Sequence, residues 1–274
     1  FALATNYGPS YGSAEETFGQ VMARDLHHYR DEMFIATKAG YDMWPGPYGI
    51  WNSRKSLMAS LDQSLRRMNL DYVDLFYSHR YDPETPIEET LQAMVDIVRM
   101  GKALYVGLSK WPAEEAAKAY AYLRQRDVPC LVYQGRYNMF DRGVETSGVL
   151  AQAKEQGAGF VAFSPLEMGI LTNRYLNGIP ADSRAASSSR FLKPEKLTPE
   201  LLDRVRQLND LAAQRGQTLA EMALAWLLKD GMVTSVIVGA SSCEQLADSI
   251  KCVSNTSFTA EELAIIDRLT KGSL

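Results

Sequence analysis

The chain has 274 residues, 46% of them hydrophobic, with 29 Lys and Arg against 33 Asp and Glu for a formal net charge of -4. This composition suits one large globular domain, and an acidic balance without long basic runs disfavours nucleic acid as a partner. No stretch reaches the roughly 18 apolar residues of a membrane helix, so no membrane partner is expected. Three widely spaced cysteines suggest neither a disulfide framework nor a zinc site, which favours a reducing cytoplasmic location.

Short apolar, β-branched or aromatic runs alternate with longer stretches of helical periodicity, which is typical of parallel strands joined by helices. The predicted strands are 33–38, 73–78, 103–107, 130–134, 159–163 and 235–239, with a remnant at 1–4. The predicted helices are 14–28, 53–69, 86–100, 113–125, 144–156, 199–214, 218–229, 243–252 and 260–270. A Ser/Gly/Pro-rich loop at about 178–198 is a candidate lid.

Capping boxes predict several helix starts, because a hydroxyl and a carboxylate or amide three residues later satisfy helix-terminal amides. The candidate pairs are Ser13/Glu16, Thr85/Glu88, Thr218/Glu221, Ser242/Gln245 and Thr259/Glu262. We see no domain boundary, so residues 1–274 are interpreted as a single domain. The α/β alternation fits either an open doubly wound sheet or a closed eight-stranded barrel of about 250 residues.

Sequence motifs weigh against the open sheet. A dinucleotide fingerprint G-x-G-x-x-G is expected directly after a strand, but Gly157-Ala158-Gly159 precedes its strand and Ala162 stands at the third glycine. P-loop, H-E-x-x-H, C-x-x-C and G-x-S-x-G motifs are absent as well.

Titratable side chains recur where predicted strands end, which is where barrel enzymes place their active sites. Tyr7 follows the remnant strand, Lys38 ends FIATK and His79 follows LFYS, so in a barrel the three converge on one mouth. An ammonium beside a phenol is expected to lower the tyrosine pKa from about 10 and make it a proton donor, while a histidine orients a carbonyl oxygen. The alternative is that each is an ordinary solvated residue at a strand end.

Segments over essentially the whole chain resemble the aldo-keto reductases, barrel enzymes whose catalytic residues are an Asp, a Tyr, a Lys and a His. They are ATNYGPSYGSAEE (4–16), FIATKAG (34–40), DLFYSHR (74–80), YVGLS (105–109), YQGRYN (133–138), FSPLEMGILTNRY (163–175) and VGASSCEQL (238–246). The insert AGYDMWPGPYG (39–49) is similar to the branch that includes bacterial L-glyceraldehyde 3-phosphate reductase. The resemblance implies an α/β fold, a (β/α)8 TIM barrel whose first strand-helix unit has no counterpart before Phe1.

The resemblance implies catalytic roles for Tyr7, Lys38 and His79 in the NADPH-dependent reduction of small aldehydes, with no metal. Ser109 and Gln134 would bind the nicotinamide carboxamide, and Phe163 would stack on the nicotinamide, although a core role for Phe163 is nearly as good an interpretation.

Two further segments would hold the phosphates of the cofactor. The diphosphate loop implied by the family pattern comprises Ser164, Pro165, Leu166, Gly169, Leu171 and Arg174. At the 2′-phosphate end the implied contacts are Gly239, Ser241 and Ser242, with Gln245 and Ser249 facing the adenine. A helix starting at Ser242 attracts anions through its free amides and dipole, but Ser242 and Gln245 could equally form only a capping box.

The match departs from the family at four places. The Asp five residues before the Tyr is replaced by Ala2, and we expect this to weaken catalysis. The first barrel unit is missing, so a longer parent polypeptide is expected. Lys110 follows Ser109 where many relatives have Asn, and the usual Arg or Lys of the GAS-x-x-EQL run is replaced by Ser242 and Cys243.

The expected function is therefore reduction of small aldehydes, glyceraldehyde 3-phosphate and methylglyoxal among the candidates, with NADP(H) as cofactor and NADH not excluded. The alternative suggested by Ala2 is a nicotinamide-binding regulatory subunit with little turnover, as in channel-associated relatives. A sugar-phosphate isomerase or lyase on the same barrel lacks a convincing phosphate loop. The branch resemblance suggests a homo-oligomer.

Overall fold

The computed structural model describes residues 1–181, 185–186 and 192–271. They fall into two compact units, Phe1–Gln134 with Gln152–Gly159, and Gly135–Ala151 with Phe160–Leu274. Each unit is described below by itself, and the single-domain interpretation stays a prediction. Part of the candidate lid, at 182–184 and 187–191, lies outside the described residues.

The first unit is built on parallel strands that pair in chain order. They are β1 (Ala36–Ala39), β2 (Val73–Ser78), β3 (Ala103–Ser109) and β4, which starts in this unit (Cys130–Arg136). Every residue of β1 and β2 is buried, as strands covered on both faces require, and this explains their continuous apolar runs. The remnant predicted at 1–4 is a single parallel bridge, Ala2 to Ala36.

A layer of side chains on one face of these strands is packed around Tyr77. Ala36, Leu75 and Tyr77 form a buried cluster against which Leu131 and Val132 pack. Gly107, the register partner of Tyr77 on β3, makes room for the ring, because a Cβ there would lie 2.7 Å from Tyr77 Cε1. This packing lies just before the carboxyl ends of β2 and β3, at Ser78 and Ser109.

Strands β5 (Gly159–Phe163) and β6 (Ser235–Val236) pair in parallel, and most of β5 and all of β6 belong to the second unit. The strand predicted at 235–239 is shorter and covers only Ser235–Val236, and the residues of the predicted range are exposed or half-buried. In the same unit Leu224, Ala225 and Cys252 form a buried cluster.

Helices follow the predicted periodicity with two differences. They are α1 (Ser13–Val21), α2 (Arg54–Met68), α3 (Ile87–Arg99), α4 (Ala113–Arg124), α5 (Gly143–Thr146), α6 (Val149–Glu155), α7 (Pro199–Gln214), α8 (Leu219–Leu228), α9 (Cys243–Ile250) and α10 (Ala260–Thr270). The helix predicted at 14–28 continues past Val21 as a π-helical and then a 3-10 segment. Most side chains there are exposed, so little tertiary packing stabilises regular α-helical hydrogen bonding. The helix predicted at 144–156 is interrupted at Gly148, whose φ is 80°.

Capping explains which predicted helix starts are right. Thr218 and Thr259 form complete capping boxes, as predicted. The boxes at Ser13 and Thr85 are wrong, because α1 begins after Gly12 and α3 after Pro86 without a side-chain cap. Ser242 accepts a hydrogen bond from the Gln245 amide, but the Gln245 side chain pairs with Ser241, so this box is only half formed.

Candidate active site

Strand register brings polar residues of the first unit to one level. Lys38 pairs with Tyr77 and Tyr77 with Gly107, and two residues further along β3 Ser109 pairs with Gln134. His79 follows Ser78, the register partner of Leu108, and therefore lies at the level of Ser109. Because side chains alternate along a strand, His79, Ser109 and Gln134 form a layer directly above that of Lys38.

Tyr7 joins this layer from the turn that follows the remnant strand. Its amide donates to the Ala4 carbonyl at 3.1 Å, and its own carbonyl accepts from Ala14 at the start of α1. The Tyr7 ring meets His79 edge-on with 5.8 Å between ring centroids, and Lys38 Nζ lies 5.1 Å from the Tyr7 ring centroid. The structure thus brings together the three residues that the sequence singles out, and Tyr7 remains 39% exposed.

Lys38 is completely buried, and its surroundings disfavour its charge. Nζ donates to the Leu3 carbonyl at 2.6 Å, and burial lowers the pKa of the ammonium to about 7 against a partial opposing effect of Glu15. Glu15 is itself buried and accepts hydrogen bonds from Thr37 and Arg67. On the remnant strand Ala4 lies opposite Lys38, and Ala2 is two residues earlier on the same face. Ala2 therefore places no carboxylate on the face that carries Lys38.

His79 is held as a neutral imidazole. Burial lowers its pKa to about 2, and the cations Lys38, Lys110 and Arg80 lower it further. Its Nδ1 is buried and has no hydrogen-bond partner among the described residues. A neutral imidazole can orient a carbonyl oxygen by hydrogen bonding, but it does not supply a proton as an imidazolium would near neutral pH.

One electrostatic expectation is wrong. Lys38 is expected to lower the pKa of Tyr7, but the Tyr7 pKa is raised above 10. The first cause is burial, which disfavours the phenolate, and the second is the neighbouring phenol of Tyr41. Lys38 does not offset these effects, because burial lowers its own pKa to about 7 and it is mostly uncharged at the higher pH where Tyr7 titrates. Tyr7 is consequently protonated over the physiological pH range.

Ser109 and Gln134 fit an amide ligand. Ser109 Oγ and Gln134 Nε2 are buried without a hydrogen-bond partner in the part of the chain that the structure describes, although Gln134 lies beside the Tyr77 hydroxyl. Buried polar atoms are normally satisfied, so unpartnered ones at adjacent strand ends indicate a place where a polar ligand can bind. A carboxamide has both a donor and an acceptor and satisfies a hydroxyl and an amide together.

The predicted diphosphate loop lies in the second unit and has an unusual backbone. Ser164, Glu167 and Met168 have φ of 53°, 43° and 56°, next to Gly169 at 98°. Leu171 is buried, and the amides of Gly169 and Leu171 donate to the Leu166 carbonyl. These amides are therefore engaged within the loop, and left-handed residues often mark a functional turn.

Sequence reasoning missed the groups that fasten this loop. Glu167 is buried and accepts hydrogen bonds from Arg136 at 2.5 Å and from the Asn138 side chain at 2.6 Å, and Asn138 also donates to the Ser164 carbonyl. Phe163, at the end of β5, accepts a backbone hydrogen bond from Tyr137 and is half-buried. Arg136 and Asn138 lie within the quoted motif YQGRYN, which was the available signal.

Polar groups at the start of α9 are exposed and already engaged. Ser242 caps the helix, Ser241 donates its amide and hydroxyl to Gln245 Oε1, and Ser249 Oγ donates to the Gln245 carbonyl. Gly239 has nothing within 4 Å of the position of a Cβ among the described residues. The structure shows capping here, and the cofactor contacts of this segment stay predictions.

Comparison with known proteins identifies the family. The family model described as "Aldo/keto reductase family" matches residues 3–271. The chain is 53% identical over 271 residues to the protein named L-glyceraldehyde 3-phosphate reductase from Escherichia coli (strain K12), covering 98% of this chain and 78% of that protein. It belongs to the aldo/keto reductase family.

Relatives of lower identity are named as potassium channel subunits. The chain is 38% identical over 247 residues to a probable voltage-gated potassium channel subunit beta from Oryza sativa subsp. japonica, covering 88% of this chain and 74% of that protein. A putative channel subunit beta from Schizosaccharomyces pombe is 36% identical over 269 residues, which is 95% of this chain and 77% of that protein.

Membership shows that the chain is an oxidoreductase of a family that generally uses nicotinamide cofactors. Its parallel strands with alternating helices agree with the α/β class and the (β/α)8 barrel expected from the resemblance. No helix in the described residues is long and apolar enough to cross a membrane.

Proposed function

We propose that this protein reduces small aldehydes with NADPH, using Tyr7 as the proton donor. The observation that carries the proposal is the meeting of Tyr7, Lys38 and His79 beside the unpartnered Ser109 and Gln134. Family membership and the 53% identity to the E. coli protein support the same reaction class. Reduction of a carbonyl needs a hydride and a proton, and the nicotinamide cofactor supplies the hydride.

Residues of the first unit orient the carbonyl, donate the proton and bind the nicotinamide carboxamide. Neutral His79 orients the carbonyl oxygen, and Tyr7 passes its hydroxyl proton to that oxygen as negative charge develops on it. The Lys38 ammonium, where present, stabilises the phenolate left on Tyr7. Ser109 and Gln134 bind the carboxamide and thereby align the cofactor with the carbonyl.

The cofactor preference and the second-unit contacts belong to the same proposal. Phe163 would stack on the nicotinamide, and Arg174 would contribute a cation to the diphosphate loop. The N-terminus of α9 offers a dipole to the 2′-phosphate, but no side-chain cation occupies its first turn. NADPH is therefore proposed on family precedent, and activity with NADH is the comparison to make.

The test uses the full chain. Incubation with NADPH and a panel of short aldehydes, among them methylglyoxal and glyceraldehyde with and without a phosphate, is followed at the nicotinamide absorbance band. Turnover of at least one aldehyde is expected, with the same assay in NADH giving the cofactor preference. Absence of turnover for every aldehyde, with NADPH binding shown by fluorescence titration, would defeat the proposal.

A second candidate is a nicotinamide-binding regulatory subunit with little turnover. Ala2 favours it, because the carboxylate expected beside Lys38 is absent, and the named potassium channel subunits among the relatives are similar over most of the chain. If the Ala2→Asp variant raises turnover strongly, a weakened enzyme is supported. Trace turnover that the substitution leaves unchanged would favour the regulatory role.

The cytoplasmic location and the homo-oligomer suggested by the sequence stay predictions. Light scattering coupled to size-exclusion chromatography checks self-association, and fractionation of the source cells checks the location.

A further inference from the structure

His79 lies directly after the last residue of β2, where the sheet no longer holds the chain on both sides. β2 ends at Ser78, and the His79 amide donates to the Ala39 carbonyl at 2.9 Å. A hydrogen bond at the second ring nitrogen often fixes the tautomer and orientation of a functional histidine. The Nδ1 of His79 is instead buried without a partner among the described residues. The orientation of the imidazole therefore depends on its backbone and on the ring edges of Tyr7 and Tyr41.

Two buried side chains hold the main chain that follows His79. Ser78 Oγ donates to the Arg80 carbonyl at 3.1 Å, and Asn52 Nδ2 donates to the same oxygen at 2.6 Å. A carbonyl oxygen has two lone pairs, so both of its acceptor positions are filled. Ser78 and Asn52 have no exposed area. We call these two side chains, with the Arg80 carbonyl that they hold, the carbonyl clamp.

The Ser78 hydroxyl is itself fixed by residues of the next two strand units. Trp111, in the loop after β3, donates from Nε1 to Ser78 Oγ at 3.0 Å, and the Tyr133 hydroxyl on β4 donates to the Trp111 carbonyl at 2.7 Å. Trp111 is buried. Because Ser78 Oγ accepts a hydrogen bond from the indole, its own proton is directed to the Arg80 carbonyl.

Asn52 is anchored to three other segments of the first unit. Its amide donates to Asp82 Oδ2 at 2.8 Å, and its carbonyl accepts from Thr90 Oγ1 on α3 at 3.0 Å. Its Oδ1 lies 2.7 Å from the position that a Cβ would take on Gly40, and the His79 Cβ lies 3.6 Å from that position. Asn52 and His79 therefore pack against the same glycine, and Asn52 connects α3 with the turns after β1 and β2.

We propose that the carbonyl clamp positions His79, so that Ser78 and Asn52 act on the reaction only through the imidazole. This inference rests on the proposed function, in which His79 orients the carbonyl oxygen of the substrate. Side chains alternate along a strand, so the Ser78 hydroxyl points away from the face that carries the imidazole. Misplacing a reacting group by about 1 Å can cost about 100-fold in rate, so a small shift of this turn is enough to lower turnover.

The test is a double-mutant cycle between the clamp and the imidazole, with Ser78→Ala and His79→Ala as the two changes. The single-turnover rate of aldehyde reduction in the NADPH complex is measured with the aldehyde that wild type reduces fastest. Ser78→Ala is expected to lower this rate by about tenfold in wild type, but by less than about twofold in His79→Ala, because the residue that it positions is already absent. NADPH affinity should change by less than about twofold in Ser78→Ala.

Ser64→Ala is the matched control for removal of a buried hydroxyl. Ser64 lies on α2 in the same unit, and its Oγ is buried without a partner in the part of the chain that the structure describes. This variant is expected to change the rate by less than about twofold in both backgrounds. A loss for Ser78→Ala that is equal in wild type and in His79→Ala would overturn the proposal, since a hydroxyl that only supports the fold acts regardless of the imidazole.

Asn52→Ala removes the other donor of the clamp and should give the same pattern. Its effect on the single-turnover rate is expected to be about tenfold or more in wild type and less than about twofold in His79→Ala. If Asn52→Ala does not fold, as urea unfolding would show, the cycle with Ser78→Ala decides alone.

Proton NMR of the histidine rings distinguishes failure of this proposal from failure of the proposed function. The chain has three histidines, and His27 and His28 are exposed and serve as internal references. Ser78→Ala is expected to shift the ring signals of His79 and to weaken its cross-peaks to the neighbouring tyrosine rings, with the reference signals unchanged. If wild type reduces no aldehyde but these changes occur, the proposed function fails and the positioning of His79 stands. Unchanged His79 signals and cross-peaks in Ser78→Ala would overturn the proposal.

Discussion

The strand-end layer of the first unit and the start of α9 in the second contain polar groups that the family resemblance assigns to ligands, but the two regions differ in how those groups are satisfied. At the strand ends, Ser109, Gln134 and His79 carry buried polar atoms without partners among the described residues. At α9, exposed hydroxyls already cap the helix or pair with Gln245. A buried unpaired group indicates a ligand because leaving it unpaired costs free energy, whereas a satisfied cap needs none.

The largest effect should come from Lys38→Met in the first unit. Loss of the ammonium is expected to lower kcat for aldehyde reduction by about 100-fold or more. The same change should stabilise the fold by about 1–4 kcal/mol near neutral pH, because an apolar side chain replaces a buried charge whose hydrogen bond goes to the neutral Leu3 carbonyl. Steady-state kinetics and urea unfolding measure the two effects.

The stability difference for Lys38→Met also has a predicted pH dependence. The folded pKa of Lys38 is about 7 and the unfolded value is 10.5, so the unfolded state binds more protons between these values. Wild type should therefore gain stability relative to the variant as pH rises from 7 to 10.5, and the difference should be constant below pH 7. If wild type instead lost stability relative to Lys38→Met as pH rises from 7 to 10.5, the account of Lys38 as a buried ammonium would be contradicted.

Ala2→Asp should act in the opposite direction on activity. A carboxylate on the same face as Lys38 raises the ammonium pKa by about 1–3 units, as an opposite charge at close range does. Wild-type reduction should decline as pH rises through about 7, and the variant should hold its rate to higher pH, with a gain of about tenfold near pH 8. Superimposable pH–rate profiles would show that Lys38 does not govern the rate.

Ser109→Ala tests the unpartnered hydroxyl. Removing one hydrogen bond to the carboxamide should weaken NADPH binding by about 2- to 10-fold, a loss of about 0.5–1.5 kcal/mol. The cofactor-free protein should not lose stability, since the hydroxyl has no partner in the described structure. A loss of stability with unchanged NADPH affinity would assign the hydroxyl to the fold.

The smallest effect on activity should come from Ser242→Ala. Loss of the cap is expected to lower the free energy of unfolding by about 1 kcal/mol, while NADPH affinity changes by less than about threefold because the hydroxyl already accepts from Gln245. Fluorescence titration with NADPH and NADH provides the measurement. A selective loss of NADPH affinity beyond tenfold would remove the contrast between the two regions.

The sequence alone predicts much of the secondary structure and of the candidate site in the first unit. The strands and most helices follow from buried apolar runs and helical periodicity, and strand-end position was enough to select Tyr7, Lys38 and His79. It did not indicate the protonation states, because the burial of Lys38 and the approach of Tyr41 to Tyr7 depend on packing between distant segments. Arg80 and Glu167 were missed for the same reason, since their partners lie 31 to 40 residues away.

The measurement that most directly tests the central claim compares wild type and Tyr7→Phe in aldehyde turnover and in NADPH affinity. The account predicts that kcat falls by about 100-fold or more, because the proton donor is lost, while NADPH affinity stays within about twofold because the phenol makes no cofactor contact in the proposal. Full turnover in Tyr7→Phe would contradict the assignment of Tyr7 as the donor.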